Sequence, residues 1–163
     1  MTSNHKQELI DKFKNRTAKV AILGMGYVGL PLAAVFAEAG FKVTGIDPIQ
    51  AKMDALNRGE SYILDVPSEQ VRRLVSQGLL AGRTDYAALA DADAISICVP
   101  TPLRKTGDPD LSFIVSAVEG LAPYVHPGMV VVLESSTYPG TTREMVLPAL
   151  TEKSGLSPGK EIF

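Results

Sequence analysis

A single cysteine, Cys98, excludes an internal disulfide framework. Two histidines, His5 and His126, stand far apart with no metal-ligand spacing around them, so no metal site is expected. No apolar run approaches the length of about eighteen residues that a membrane-spanning helix requires. Neither sign of charge dominates: sixteen Lys and Arg against eighteen Asp and Glu leave a net charge of −2. The chain therefore offers no broad cationic field to a polyphosphate backbone, and nucleic acid is not an expected partner. The N-terminal stretch from Met1 to Lys19 is polar and of mixed charge, unlike a secretory signal, and the expected compartment is the cytoplasm. The chain does have apolar residues. They make up 45% of its 163 positions, enough for one core and one domain that buries about two thirds of its unfolded surface.

The apolar residues alternate between two periods. After an amphipathic lead-in helix over 1–17, with Leu9, Ile10 and Phe13 at helical spacing, residues 18–23 (AKVAIL) run almost unbroken up to Gly24. That is the pattern of a strand covered on both faces in a parallel sheet. Residues 27–39 form a helix closed by Gly40, and Pro31 falls in its first turn, where a missing N–H costs little. A second strand over 41–46 ends at Asp47-Pro48, a helix covers 51–57, and a polar connection over 59–67 leads to a helix capped by Ser68. A weaker strand follows over 79–84, then a helical turn over 85–90 and another doubly buried strand over 94–99 (AISICV) that stops at Pro100-Thr101-Pro102. A charged loop over 103–109 precedes a helix marked by Ile114, Val118 and Leu121, a fifth strand over 129–133, and a helix over 141–150 interrupted by Pro148. Glu161-Ile162-Phe163 reads as the opening of a sixth strand, so the chain looks cut there, and the fifth strand would expose an unpaired edge.

Gly24-Met25-Gly26-Tyr27-Val28-Gly29 follows the first strand and opens the first long helix, and Asp47 ends the next strand. The glycines serve different ends. Gly24 allows the tight turn, Gly26 leaves room for a pyrophosphate, and Gly29 lets the helix approach the strand. The helix N-terminus adds free N–H groups and positive dipole. Asp47 would accept from the adenosine ribose hydroxyls and repel a 2′-phosphate, which favours NAD over NADP. S-adenosylmethionine is a competing ligand, but the small residues Ala33 and Ala34 fit dinucleotide-type packing better. The fold expected is α/β, a Rossmann-type open parallel sheet with helices on both faces, in a single domain over 18–163.

Four stretches extend the pattern: GMGYVGLPLA (24–33), GIDPIQAKMDALNRGESYI (45–63), CVPTPL (98–103) with DPDLS (108–112), and LESSTYPGTT (133–142). Together they resemble the nucleotide-sugar 6-dehydrogenases, the UDP-glucose/GDP-mannose dehydrogenase family, over nearly all of 18–163. GESYI, VPTPL and ESSTYPGTT are most similar to the UDP-N-acetylglucosamine 6-dehydrogenase branch, which serves polysaccharide synthesis. The resemblance implies that Gly24, Met25, Gly26, Tyr27, Val28 and Gly29 meet the pyrophosphate, and that Asp47 and Lys52 hold the adenosine ribose. It implies that Pro100, Thr101 and Thr137 lie near the cofactor, with Thr137 also near the reacting carbon in an assisting role. Without it, Lys52 reads as a solvated helix lysine and the two threonines as turn residues. Strand-end geometry independently places both threonine loops beside the crevice.

The family oxidises the C6 alcohol of a UDP-sugar to a carboxylate with two NAD molecules in succession, through a thiohemiacetal on a cysteine. Cys98 lies in a strand expected to be buried, where a thiol packs as a small hydrophobe. The family cysteine and the bases belong to later domains, and the resemblance implies a homo-oligomer for the full-length enzyme. The fragment is thus expected to bind NAD without turning over. Glu134 fits either the crevice or a pairing within the sheet. A stand-alone NAD-binding regulatory module, or a short-chain hydroxyacid dehydrogenase with its lysine after a sixth strand, are the other readings of the same residues.

Overall fold

Five short strands carry the architecture. In the computed structural model, which describes residues 4–105 and 107–163, they are β1 (Lys19–Leu23), β2 (Lys42–Ile46), β3 (Leu80–Arg83), β4 (Ala94–Ile97) and β5 (Val130–Leu133). All four pairings are parallel, in the order β3-β2-β1-β4-β5, as the strand–helix alternation predicted. The helices are α1 (His5–Lys14), α2 (Gly29–Glu38), α3 (Gln50–Asn57), α4 (Ser68–Ser76), α5 (Ser112–Leu121) and α6 (Leu147–Ser154). Residues 1–3 of the expected lead-in and Thr106 of the expected loop lie outside the described residues.

Parallel strands must be covered on both faces, and β1 shows how. Val20 and Ile22 join one buried cluster, Ala21 and Leu23 the other, because successive side chains leave a strand on opposite sides. Leu30 and Ala33 of α2, Met53 and Leu56 of α3, and Val71 and Leu74 of α4 complete the first cluster. Ile114 and Val118 of α5 and Leu150 of α6 complete the second.

The N-terminal ends of the strands are closed by α1. Phe13 packs edge-on against Phe41 with ring centroids 5.7 Å apart, and the Arg16 guanidinium lies 5.0 Å above the same ring. Lys12 pairs with Asp93, which is only 6% exposed and also accepts the Lys19 N–H at 2.8 Å. The backbone of Asp93 bridges three strands at this end: its N–H donates to Lys19, and its carbonyl accepts from Val130.

Three local expectations need correction. Ser68 is the first helical residue of α4 and not its cap; Pro67 takes the cap position in extended backbone, and the Ser68 hydroxyl oxygen accepts from the Ser61 N–H at 2.9 Å. Pro148 does not interrupt a helix. It lies in the first turn of α6, directly after a π-helical turn over Thr142–Val146, and that wider turn absorbs a residue that has no N–H to give. The edge of β5 is partly paired: Ile162 bridges Met129 in parallel, the Val131 N–H donates to the Phe163 carbonyl at 2.8 Å, and the Phe163 N–H to Met129 at 3.0 Å.

Asp93→Ala strips the Lys19 N–H and the Lys12 ammonium of their common acceptor. A loss of about 2 kcal/mol is expected from the orphaned donor at the start of β1, read as a thermal midpoint lower by about 4–8 °C.

Candidate functional site

The strand order reverses between β1 and β4, and ligands of open α/β sheets bind where that happens, beyond the carboxyl ends of the strands. A cavity of about 620 Å³ lies there, lined by the glycine loop after β1, Asp47 after β2, Cys98 to Thr101 after β4 and Glu134 to Ser136 after β5. Its size suits a dinucleotide-scale ligand. Grooves of about 810 and 720 Å³ lie elsewhere, one against α4 and one between β5 and α6, and neither reaches the glycine loop.

The three loop glycines are required for different reasons. Gly24 has a positive φ of 89°, and a Cβ there would sit 2.9 Å from the Cys98 carbonyl oxygen. A Cβ on Gly29 would overlap the Gly24 carbonyl, so α2 can start against the loop only without one. Gly26 differs: a Cβ there would meet nothing within 4 Å. The protein leaves that space open on the cavity side, as a ligand lying against the backbone requires. Helix α2 begins at Gly29, two residues later than its apolar period predicts, because Tyr27 and Val28 complete the turn. No side chain caps this helix and its first turn holds no acid, so its positive end is left open beside the cavity.

Met25, expected at the pyrophosphate, does not line the cavity. Its side chain is fully buried and fills the place of the missing Gly45 side chain, where a Cβ would come within 2.5 Å of the thioether. Asp47 is 5% exposed. Its Oδ2 accepts from the Met25 N–H at 3.0 Å and from Lys52 Nζ at 3.3 Å, and its Oδ1 from the Ile49 N–H at 3.0 Å. The Lys52 ammonium also lies 5.9 Å from the centroid of the Tyr62 ring.

Pro100 and Thr101 line the cavity as expected; Thr137 lies one residue beyond the lining. Its hydroxyl turns to the Tyr138 carbonyl at 3.5 Å, because the loop leaves the crevice on its way to the turn at Gly140. Glu134 is exposed on the cavity wall, which settles its two sequence readings in favour of the crevice. Cys98 sits just past the end of β4 and not within the strand. It is buried, its Sγ 3.6 Å from the Ser96 hydroxyl, and burial pushes the thiol pKa up, opposed by the Ser96 contact and reinforced by the Glu134 charge. His126 lies at the opposite end of the sheet, its Nε2 3.0 Å from the Ala92 carbonyl oxygen. Among the described residues no group of three metal-ligating side chains comes together, and no helix is long and apolar enough to cross a membrane.

Residue-by-residue reasoning missed Tyr62, Ile63, Ser135 and Ser136, which all line the cavity. Tyr62 stands in a polar connection with no period to mark it; the only signal was its place within GESYI.

Comparison with known proteins agrees with this geometry. The model of the UDP-glucose/GDP-mannose dehydrogenase family, NAD binding domain, matches residues 18–162. UDP-N-acetyl-D-mannosamine dehydrogenase of Escherichia coli (strain K12) is 37% identical over 129 residues, which are 78% of this chain and 30% of that protein. The chain thus spans about a third of the length of the curated relatives it matches. A ternary complex of GDP-mannose dehydrogenase from Pseudomonas aeruginosa superposes with a TM-score of 0.84 at 31% identity, over 89% of this chain and 34% of that one. NDP-N-acetyl-D-galactosaminuronic acid dehydrogenase from Methanosarcina mazei Go1 does so with a TM-score of 0.81 at 34% identity, over 94% and 35%.

Gly29→Ala forces backbone against backbone. It should cost about 3 kcal/mol, the upper end of overpacking penalties, and lower the thermal midpoint by about 6–12 °C. Cys98, held as a thiol, should react with a disulfide reagent at pH 8 at least about a hundredfold slower than free cysteine. Because its pKa is raised, that rate should still be climbing with pH after that of an ordinary cysteine has levelled off.

Proposed function

The chain belongs to the UDP-glucose/GDP-mannose dehydrogenase family, and from that premise we propose that it holds NAD for the oxidation of C6 of a nucleotide sugar. The observation that carries this is the open space at Gly26 beneath an uncapped helix N-terminus, with a buried carboxylate one strand away. Backbone N–H groups at Gly26, Tyr27, Val28 and the start of α2 would receive the pyrophosphate, since those of Gly24 and Met25 are held by the Ile46 carbonyl and the Asp47 carboxylate. Asp47 and Lys52 would receive the adenosine ribose, and the Asp47 charge would turn away a 2′-phosphate. Pro100 and Thr101 would flank the middle of the cofactor, and Glu134 and Thr137 its reacting end, Thr137 assisting at the substrate carbon. When bound, NAD supplies the hydride acceptor; the protein binds it, orients it and excludes water.

Support for an N-acetylated sugar comes from two directions. The motifs around Tyr62, Thr101 and Thr137 resemble the UDP-N-acetylglucosamine branch, and the similar proteins include ones named for N-acetylmannosamine and for N-acetylgalactosaminuronic acid. The shared element is the N-acetylhexosamine unit, so a nucleoside diphosphate N-acetylhexosamine is the proposed substrate of the whole enzyme, in the cytoplasm with its soluble cofactor. A chain aligned to only a third of such enzymes is proposed to bind NAD without sustained turnover.

Thermal unfolding with each cofactor tests this. NAD at about a hundred times its Kd should stabilise by roughly 2.7 kcal/mol, a rise of about 5–11 °C, with a much smaller rise for NADP. Gly26→Ala should keep the unliganded midpoint within about 2 °C and abolish the NAD shift. Equal shifts for NAD and NADP, or a full NAD shift in the variant, would overturn the assignment.

A further inference from the structure

Met25 is fixed at three points. Its side chain is locked into the core beside Gly45, its N–H is taken by Asp47 at 3.0 Å, and its carbonyl accepts from the Tyr62 hydroxyl at 3.0 Å. The first two holds come from β2 and the residue that follows it. The third comes from the connection between α3 and α4, 37 positions along the chain. It reaches the carbonyl of the Met25–Gly26 peptide, the unit whose N–H is that of Gly26.

We infer that Tyr62 is a positioning residue of the cofactor site: its hydroxyl clamps the Met25 peptide so that the loop N–H groups around Gly26 stay aimed at a diphosphate. The inference rests on the proposed binding of NAD there. The ring also serves separately, since the Lys52 ammonium lies over it while paired to Asp47. Hydroxyl and ring are therefore separable by substitution. Burial, and after it the Asp47 charge, keep the phenol protonated and hence a donor. A phenol that merely filled space would not need a hydroxyl aimed at the loop.

Tyr62→Phe removes the clamp and keeps the ring. In the 163-residue chain, amide hydrogen exchange at Met25, whose N–H is held by Asp47, should accelerate about tenfold, consistent with the loss of one hydrogen bond, while Ile22 and Ile97 in the core strands exchange as before. NAD and ADP-ribose should each bind about fivefold to tenfold more weakly, and adenosine, which lacks the phosphates, equally to both proteins. Tyr62→Leu, which also removes the ring beneath Lys52, should weaken adenosine as well. Unchanged exchange at Met25 in Tyr62→Phe overturns the inference whatever NAD does, as does a loss of affinity shared equally by adenosine and ADP-ribose. Failure of the wild-type chain to bind NAD overturns the cofactor reading instead, and leaves the exchange measurement to decide the clamp.

Discussion

The approach of α2 to the end of β1 is the constraint on which the crevice depends. Gly29 packs on the Gly24 carbonyl at a distance no side chain permits, and this brings the start of the helix over the strand end. The loop between them is then too short to do anything but turn at once, which Gly24 allows with its positive φ. Had α2 stood off by the thickness of a methyl group, its N–H groups would point past the cavity. Cys98 and Val99 pack close to the same turn from β4, so the neighbouring strand end is held to the glycine loop as well.

Two buried aspartates stand at opposite ends of the sheet. Asp93 at the amino ends of the strands is held by the Lys19 N–H and the Lys12 ammonium, and the cavity at the glycine loop does not reach it. Asp47 at the carboxyl ends lines the cavity and accepts three hydrogen bonds, from Met25, Ile49 and Lys52. A carboxylate has about four acceptor sites, so one remains. In the proposed cofactor site, a ribose offering two hydroxyls would therefore compete with the weakest of the three present donors, Lys52 at 3.3 Å, the only one of them on a flexible side chain. The ring of Tyr62 stands beside that ammonium and can keep it near the site while the carboxylate changes partner. Binding and loop order thus meet at the same two side chains.

How much of this was legible varied with the physics behind each feature. The parallel sheet could be read from AKVAIL and AISICV because burial on both faces suppresses polar residues at every position of a strand. The glycine loop was legible because sterics leave no alternative residue at 24 or 29. The cap of α4 was misread because a proline in extended backbone ends the preceding chain as firmly as a serine side chain would, and Ser68 was free to serve Ser61 instead. The helix around Pro148 was misread because a π turn has no sequence period of its own. At the site, Thr137 differs from Ser136 only by where a loop bends, and Tyr62 reaches its carbonyl through a tertiary contact that no local pattern encodes.

Burial acts on two of the groups that line the cavity. The two lining side chains that burial displaces, Tyr62 and Cys98, are both pushed toward the protonated form. A tyrosine held protonated is a durable donor, and a cysteine held protonated is a poor nucleophile. A site meant to abstract a proton or attack a carbonyl near neutral pH needs the opposite displacement, a base or thiolate poised within reach of pH 7. Around this crevice the protein has also placed an uncapped helix end and the paired charges of Asp47 and Lys52, with Glu134 exposed on the wall. Tyr62 and Cys98 thus serve the crevice as a donor and as packing, and not as a base and a nucleophile.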